Sequence, residues 1–169
     1  MATLCLLRHA KAAQPLSGQQ DFDRPLTERG RSDASWAGDI LATLNLDLAL
    51  VSAAQRTRET WEIASRRLPV QPAVALEENL YLCSPAQLIA RIQTVPTTAH
   101  SVIAVGHNPC MQEVAMWLTR HSKGPASMAV REKFPTSALA IFNFPDGDWS
   151  RLEPELVTLK RFGAPRMSD

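Results

Sequence analysis

Arg8 and His9 stand side by side at the end of an apolar run, "TLCLLRHAKA" (Thr3 to Ala12), where burying either without a partner is costly. Two other apolar runs end in the same way. "LDLALVS" stops at Ser52, with Arg56 four residues on and Thr60 four beyond that, and "SVIAVGHNP" passes through Gly106 to His107. Arginine offers a permanently charged fork of donors matched to phosphate oxygens, and two such forks neutralise a phosphoryl dianion without a metal. A neutral imidazole nitrogen is a competent nucleophile toward phosphorus. A second imidazole, protonated, can support charge on the equatorial oxygens of a loose transition state. If the three run ends meet, they make a phosphoryl-transfer pocket with one histidine as nucleophile and the other as electrostatic support.

Each residue alone has an ordinary reading. His100 and His121 have no arginine-bearing context and read as solvated or structural. Arg56 has Glu59 and Glu62 on its own helix as simple ion-pair partners. Lys11 could add positive potential beside the site but reads more simply as a solvated lysine just past a strand, and Thr136 and Ser137 either face the pocket or hold a local turn. His107 and Cys110 share an H-x-x-C spacing, but no second pair accompanies them and arginines repel a cation, so no metal is expected. Trp36, Trp61, Trp117 and Trp149 read as packing residues. The conjunction of Arg-His, Ser-x3-Arg-x3-Thr and Gly-His-Asn-Pro, each after a strand, singles out His9, His107, Arg8 and Arg56.

The elements that must position them alternate strand with helix. After the first strand, "AAQPLSGQQDFDRPL" carries Pro15, Gly18 and Pro25 and reads as a loop. Thr27 caps a helix whose Ala37, Ile40, Leu41 and Leu44 share a face. "LDLALVS" is a strand, and "QRTRETWEIASRRL" a helix with Thr57, Trp61, Ala64 and Leu68 on one side. Pro72 makes "VQPAVAL" an edge strand. Ser84, Pro85 and Gln87 form a capping box for the helix "SPAQLIARIQ". Asn108 as N-cap and Pro109 at the first helical position launch a helix after the "SVIAV" strand. "SALAIFNF" supplies an antiparallel edge strand, and the tail from Trp149 to Leu159 a last strand. This pattern predicts a three-layer α/β/α sandwich with a mostly parallel sheet, in which ligands sit beyond the carboxyl ends of the strands.

With 169 residues, the chain is expected to form one domain over residues 1–169. Its 18 Lys+Arg balance 17 Asp+Glu to a net charge of +1, which gives no global reason to bind nucleic acid or a membrane. No apolar run approaches the roughly 20 residues of a membrane span, and no leader pattern opens the chain. A soluble, cytoplasmic protein is expected. Cys5, Cys83 and Cys110 fit reduced thiols rather than a disulfide framework. No interface stripe stands out, so a monomer is expected.

"LLRHAKA", "SAAQRTRET" and "VIAVGHNP" resemble the motifs of the histidine phosphatase superfamily, and the short chain with "DRPLTERG" resembles its SixA-type phosphohistidine phosphatase branch. The resemblance spans Leu4 to about Phe144. It implies that His9 is the phosphorylated nucleophile, that Arg8 and Arg56 hold the phosphate, and that His107 completes the pocket without any cofactor. It also implies that Arg24, in the "RPLT" segment, reaches the phosphate; the strand pattern would not have chosen this loop residue. Much of the superfamily has Gly where this chain has Ala10. Larger members carry an acid on an inserted segment over the pocket, for which this chain has little room; Glu77 and Glu78 are the candidates in its place. Without an acid, an alkyl alcohol leaves poorly, whereas imidazole leaves readily and can carry its own proton. The expected substrate is therefore phosphohistidine on a signalling or phosphotransfer protein. A phosphomonoesterase or mutase-like enzyme, and a module that binds a phosphoprotein without turnover, are the alternatives.

Overall fold

The computed structural model describes residues 1–166. Seven residues, Ala2–Arg8, form strand β1, whose Leu4, Cys5, Leu6 and Leu7 are apolar in succession and so are buried on both faces. β1 lies inside a six-stranded sheet. It pairs in parallel with β4 (Ser101–Gly106), which pairs in parallel with β2 (Leu48–Ser52), and β2 in turn with β3 (Ala73–Glu77). On its other side β1 pairs antiparallel with β5 (Leu139–Phe144), and β6 (Thr158–Gly163) closes that edge.

Five α-helices among the described residues cover the sheet. Leu7, Ala49, Val51 and Val105 meet Ala37 and Leu41 of α1 (Glu28–Leu41) and Trp61 and Ala64 of α2 (Gln55–Ser65) on one face. Leu4, Leu6, Leu50 and Ala104 meet the other three on the opposite face: Leu88 of α3 (Pro85–Gln93), Val114 of α4 (Cys110–Leu118) and Val130 of α5 (Pro125–Glu132). The three layers follow from the chain pattern, since parallel neighbours need crossover helices and β1, β2 and β4 must be covered twice.

Local signals account for most element starts. Thr27 accepts from the Gly30 N–H at the head of α1, and Ser84 and Gln87 make the reciprocal capping box at the head of α3. β3 lies at an edge, as Pro72 requires. Four expectations shift. β5 is antiparallel but internal, because β6 adds beyond it. β6 begins only at Thr158, since Trp149–Arg151 and Pro154–Leu156 are short 3-10 turns. α5 has no counterpart in the sequence reading: only eight residues long, it buries Ser127 and Val130 alone, too few apolar positions to show a period. α4 starts at Cys110 with Pro109 in the cap position, because the Asn108 side chain is used elsewhere. Its amide donates to the Phe134 carbonyl at 2.9 Å, while its Oδ1 accepts from the Gln112 N–H at 3.2 Å and so still serves the first turn.

No helix among the described residues is long and apolar enough to cross a membrane.

Candidate active site

The carboxyl ends of β1, β4 and β2 lie level, with Arg8 opposite Gly106 and Val51 opposite Val105. The residues that follow each end therefore converge on one crevice of about 250 Å³. Arg8, His9, Lys11, Arg24, Arg56, His107, Asn108 and Thr136 line it; Lys11 is exposed to solvent there, and Thr136 takes the pocket-lining place that was one of its two readings.

His9 is buried, and its Nδ1 lies 2.7 Å from the Ala10 carbonyl oxygen. A carbonyl only accepts, so Nδ1 carries the proton and Nε2 keeps its lone pair. Burial pushes the His9 pKa from 6.5 down to about 3, against the pull of the Ala10 hydrogen bond and with help from His107, Arg8 and Arg56. The ring is a neutral, oriented base. The Ala10 N–H donates to Thr60 Oγ1 at 2.9 Å, and Thr60 donates to the Arg56 carbonyl at 2.7 Å, so α2 anchors the turn after β1.

His107 lies with its ring centroid 5.3 Å from that of His9. Its Nε2 hydrogen bonds with Ser52 Oγ at 2.8 Å, and Ser52 is itself held by Thr57 Oγ1 donating to its carbonyl. Burial first, then Arg56, lowers the His107 pKa from 6.5 to about 4, which corrects the expectation of a protonated second imidazole: in the free protein both histidines are neutral at pH 7. An entering phosphoryl dianion opposes both effects and favours the protonated form.

The arginines are aimed by backbone and by one acid. Arg8 Nη1 donates to the Phe134 carbonyl at 3.1 Å. Arg56, nearly fully buried, grips Asp21 with both ends of its fork, the carbonyl at 2.8 Å and Oδ2 at 3.0 Å, rather than pairing with Glu59 or Glu62. Arg24 Nε donates to the Ala13 carbonyl at 2.8 Å and Nη1 to Asp21 Oδ1 at 2.9 Å. Tyr81, the one tyrosine of the chain, donates to Asp21 Oδ2 at 2.5 Å and sets its ring edge against His107. The Tyr81 hydroxyl, then the two guanidiniums, hold the Asp21 carboxyl well below the usual carboxylate range. Three buried side-chain atoms have no partner among the described residues, Arg8 Nε, His107 Nδ1 and Ser137 Oγ. All three belong to this corner, since the Ser137 N–H donates to the His9 carbonyl.

Asp21 and Tyr81 escaped the sequence reading. Asp21 had a local signal, an Asp three residues ahead of Arg24; Tyr81 had none, because its role depends on long-range packing. Glu77 and Glu78 lie outside the crevice: Glu77 pairs with Arg91 at 2.6 Å, and both face a separate cavity. Of the other two histidines, His100 is exposed, and His121 bonds Glu155 at the surface.

Comparison with known proteins agrees with this fold. Residues 4–82 match the model of the histidine phosphatase superfamily, branch 1. An uncharacterized protein of Mycobacterium tuberculosis is 37% identical over 165 residues, covering 95% of this chain and all of that protein. A structure solved under the name SixA from Agrobacterium tumefaciens is 30% identical with a TM-score of 0.82, covering 97% of this chain and 98% of that one. Another, from Nakamurella multipartitia, superposes with a TM-score of 0.85 at 28% identity, over 98% and 96% of the two chains. A sandwich with histidines and arginines at the carboxyl edge of its parallel strands defines the class. The chain belongs to the histidine phosphatase superfamily, in its SixA-type branch.

Proposed function

We propose that this protein is a cofactor-independent phosphatase that removes phosphoryl groups from phosphohistidine on a signalling or phosphotransfer protein, through a phosphorylated His9. The observation that carries the reading is the neutral, Nδ1-anchored ring of His9 facing a crevice walled by Arg8, Arg24, Arg56 and His107. In the first step the His9 Nε2 lone pair bonds to phosphorus while the bond from phosphorus to the substrate imidazole breaks, and that ring, protonated on its other nitrogen, leaves as neutral imidazole. Arg8, Arg24 and Arg56 bind the equatorial oxygens, and His107, which lines the same crevice with its Nδ1 unpartnered, supports the developing charge. In the second step a water oxygen bonds to phosphorus, the bond to Nε2 breaks, and phosphate leaves with the water's proton redistributed to phosphate or solvent.

The substrate class rests on the leaving group. No carboxyl group is among the described residues lining the crevice, and Asp21 beside it is held ionised by Tyr81, Arg24 and Arg56, unable to give a proton at neutral pH. An imidazole needs no such donor, whereas an alkoxide does. The likeness to proteins named for phosphohistidine phosphatase activity supports the same class. The test is phosphate release from a phosphohistidine-bearing protein and, at equal concentration, from an alkyl phosphate, with wild type and His9→Ala. Preference for phosphohistidine and a dead variant are expected. Faster release from the alkyl phosphate would overturn the substrate class; release by neither would leave a binding module.

A further inference from the structure

Beside the crevice, two thiols that the reaction does not use lie together. Cys83 Sγ and Cys110 Sγ are 3.5 Å apart, although 27 residues separate them. Both line a cavity of about 320 Å³ whose wall includes His107, Asn108 and Leu82, and Cys83 is half-buried while Cys110 is buried. Small oxidants can therefore reach the first sulfur with the second already in line behind it. The hydrogen bond between the two thiols lowers the Cys83 pKa, whereas the same bond and burial raise that of Cys110. Thiolate character thus collects on the more accessible sulfur, as reactive cysteines require. Cys5 is the contrast: wholly buried, with its thiol pushed up to about 12 by burial.

We propose that Cys83 and Cys110 form a reversible intrachain disulfide on exposure to a hydroperoxide, and that this bond weakens the phosphate crevice. The Cys83 thiolate attacks a peroxide oxygen: an S–O bond forms, the O–O bond breaks, and hydroxide leaves to be protonated. The Cys110 sulfur then attacks the sulfenic sulfur, forming the S–S bond as the S–O bond breaks and water departs with the Cys110 proton. Both sulfurs are oxidised, the peroxide is reduced to water, and a dithiol reverses the change.

The coupling is built into the chain. A disulfide needs sulfurs about 2.05 Å apart, so the gap must close by roughly 1.5 Å. Cys83 lies two residues after Tyr81, whose hydroxyl holds Asp21 and whose ring backs His107, and Cys110 lies three residues after His107. Leu82 between Tyr81 and Cys83 already has φ +55°, a conformation that a leucine rarely adopts, so the joint has little slack. Drawing Cys83 toward α4 shifts Tyr81, and with it the acid that aims Arg24 and Arg56.

The effect on the crevice rests on the phosphate-binding reading; formation of the bond does not. The experiment treats the whole protein with hydrogen peroxide and reads it twice. Peptide mapping is expected to show the segments bearing Cys83 and Cys110 joined, lighter by two hydrogens, and released by dithiothreitol. Calorimetry with inorganic phosphate is expected to show a several-fold weaker affinity in the oxidised protein. Cys83→Ser and Cys110→Ser should bind phosphate as reduced wild type does and keep that affinity after peroxide. Absence of the joined peptide, unchanged affinity in the joined protein, or equal loss in the serine variants would overturn the proposal. If reduced wild type bound no phosphate at all while the joined peptide formed, the phosphate-pocket reading and the proposed weakening would fall together, leaving only the disulfide.

Discussion

His9 shows how a local hydrogen bond decides a residue's chemistry. The Ala10 carbonyl fixes the proton on Nδ1, and burial then keeps the ring neutral far below the pH at which a free imidazole charges. His107 shares that condition, with its pKa near 4. In the unfolded chain both rings take up protons as the pH falls through about 6.5. The folded crevice refuses those protons until about 4 for His107 and about 3 for His9. Between these limits the unfolded state binds more protons, so stability is full above 6.5 and declines as the pH falls toward 4. Urea unfolding at a series of pH values is expected to show this decline, and to show a shallower one for His9→Gln. An equal slope in the variant would mean that His9 is not held neutral. At this scale the sequence was legible for Arg8, His9, Arg56 and His107, because each follows an apolar run that ends in costly residues. Asp21 was not, since its spacing to Arg24 marks only a local ion pair, and its role at the site depends on Arg56 of α2 reaching it from 35 residues away.

The elements place these residues through a few close approaches. α1 begins against the turn after β1: the Thr27 N–H donates to the Lys11 carbonyl, and a methyl group on Gly30 would press into that same oxygen. The fit holds the "RPLT" segment, and so Arg24, over the crevice. Gly30→Ala is expected to destabilise by about 1–3 kcal/mol through overpacking. Ser84→Ala, which removes only the cap of α3 and no residue that lines the crevice, is expected to lower stability by about 1 kcal/mol and leave phosphate binding unchanged. Urea denaturation with phosphate titration separates the two, because Gly30→Ala should also weaken phosphate binding. Capping signals and 3.6-residue periods made α1, α2 and α3 readable in the chain. α5 and the late start of β6 were not readable: a short helix with two buried residues, and a strand with none fully buried, draw their order from neighbours rather than from their own pattern.

Across the whole molecule, strand order turns separate motifs into one crevice. β4 returns between β1 and β2, so residues 9, 56 and 107, far apart in sequence, end on the same edge. The alternation of strand and helix made this parallel arrangement predictable, but not the insertion of β5 between β1 and β6, which depends on pairing across the whole chain. A crevice with cations on its walls and no carboxyl group among the described residues that line it supports the proposed leaving group, an imidazole that departs carrying its own proton. The central claim is that phosphorus passes through His9, and the direct measurement is rapid quenching of the protein with a phosphohistidine-bearing protein under alkaline conditions, followed by peptide mapping. An acid-labile phosphoryl group on the His9 peptide, formed and lost on the timescale of turnover and missing from His9→Ala, is the predicted result. Turnover with no phosphoryl group on His9, or with one on another residue, would contradict the account.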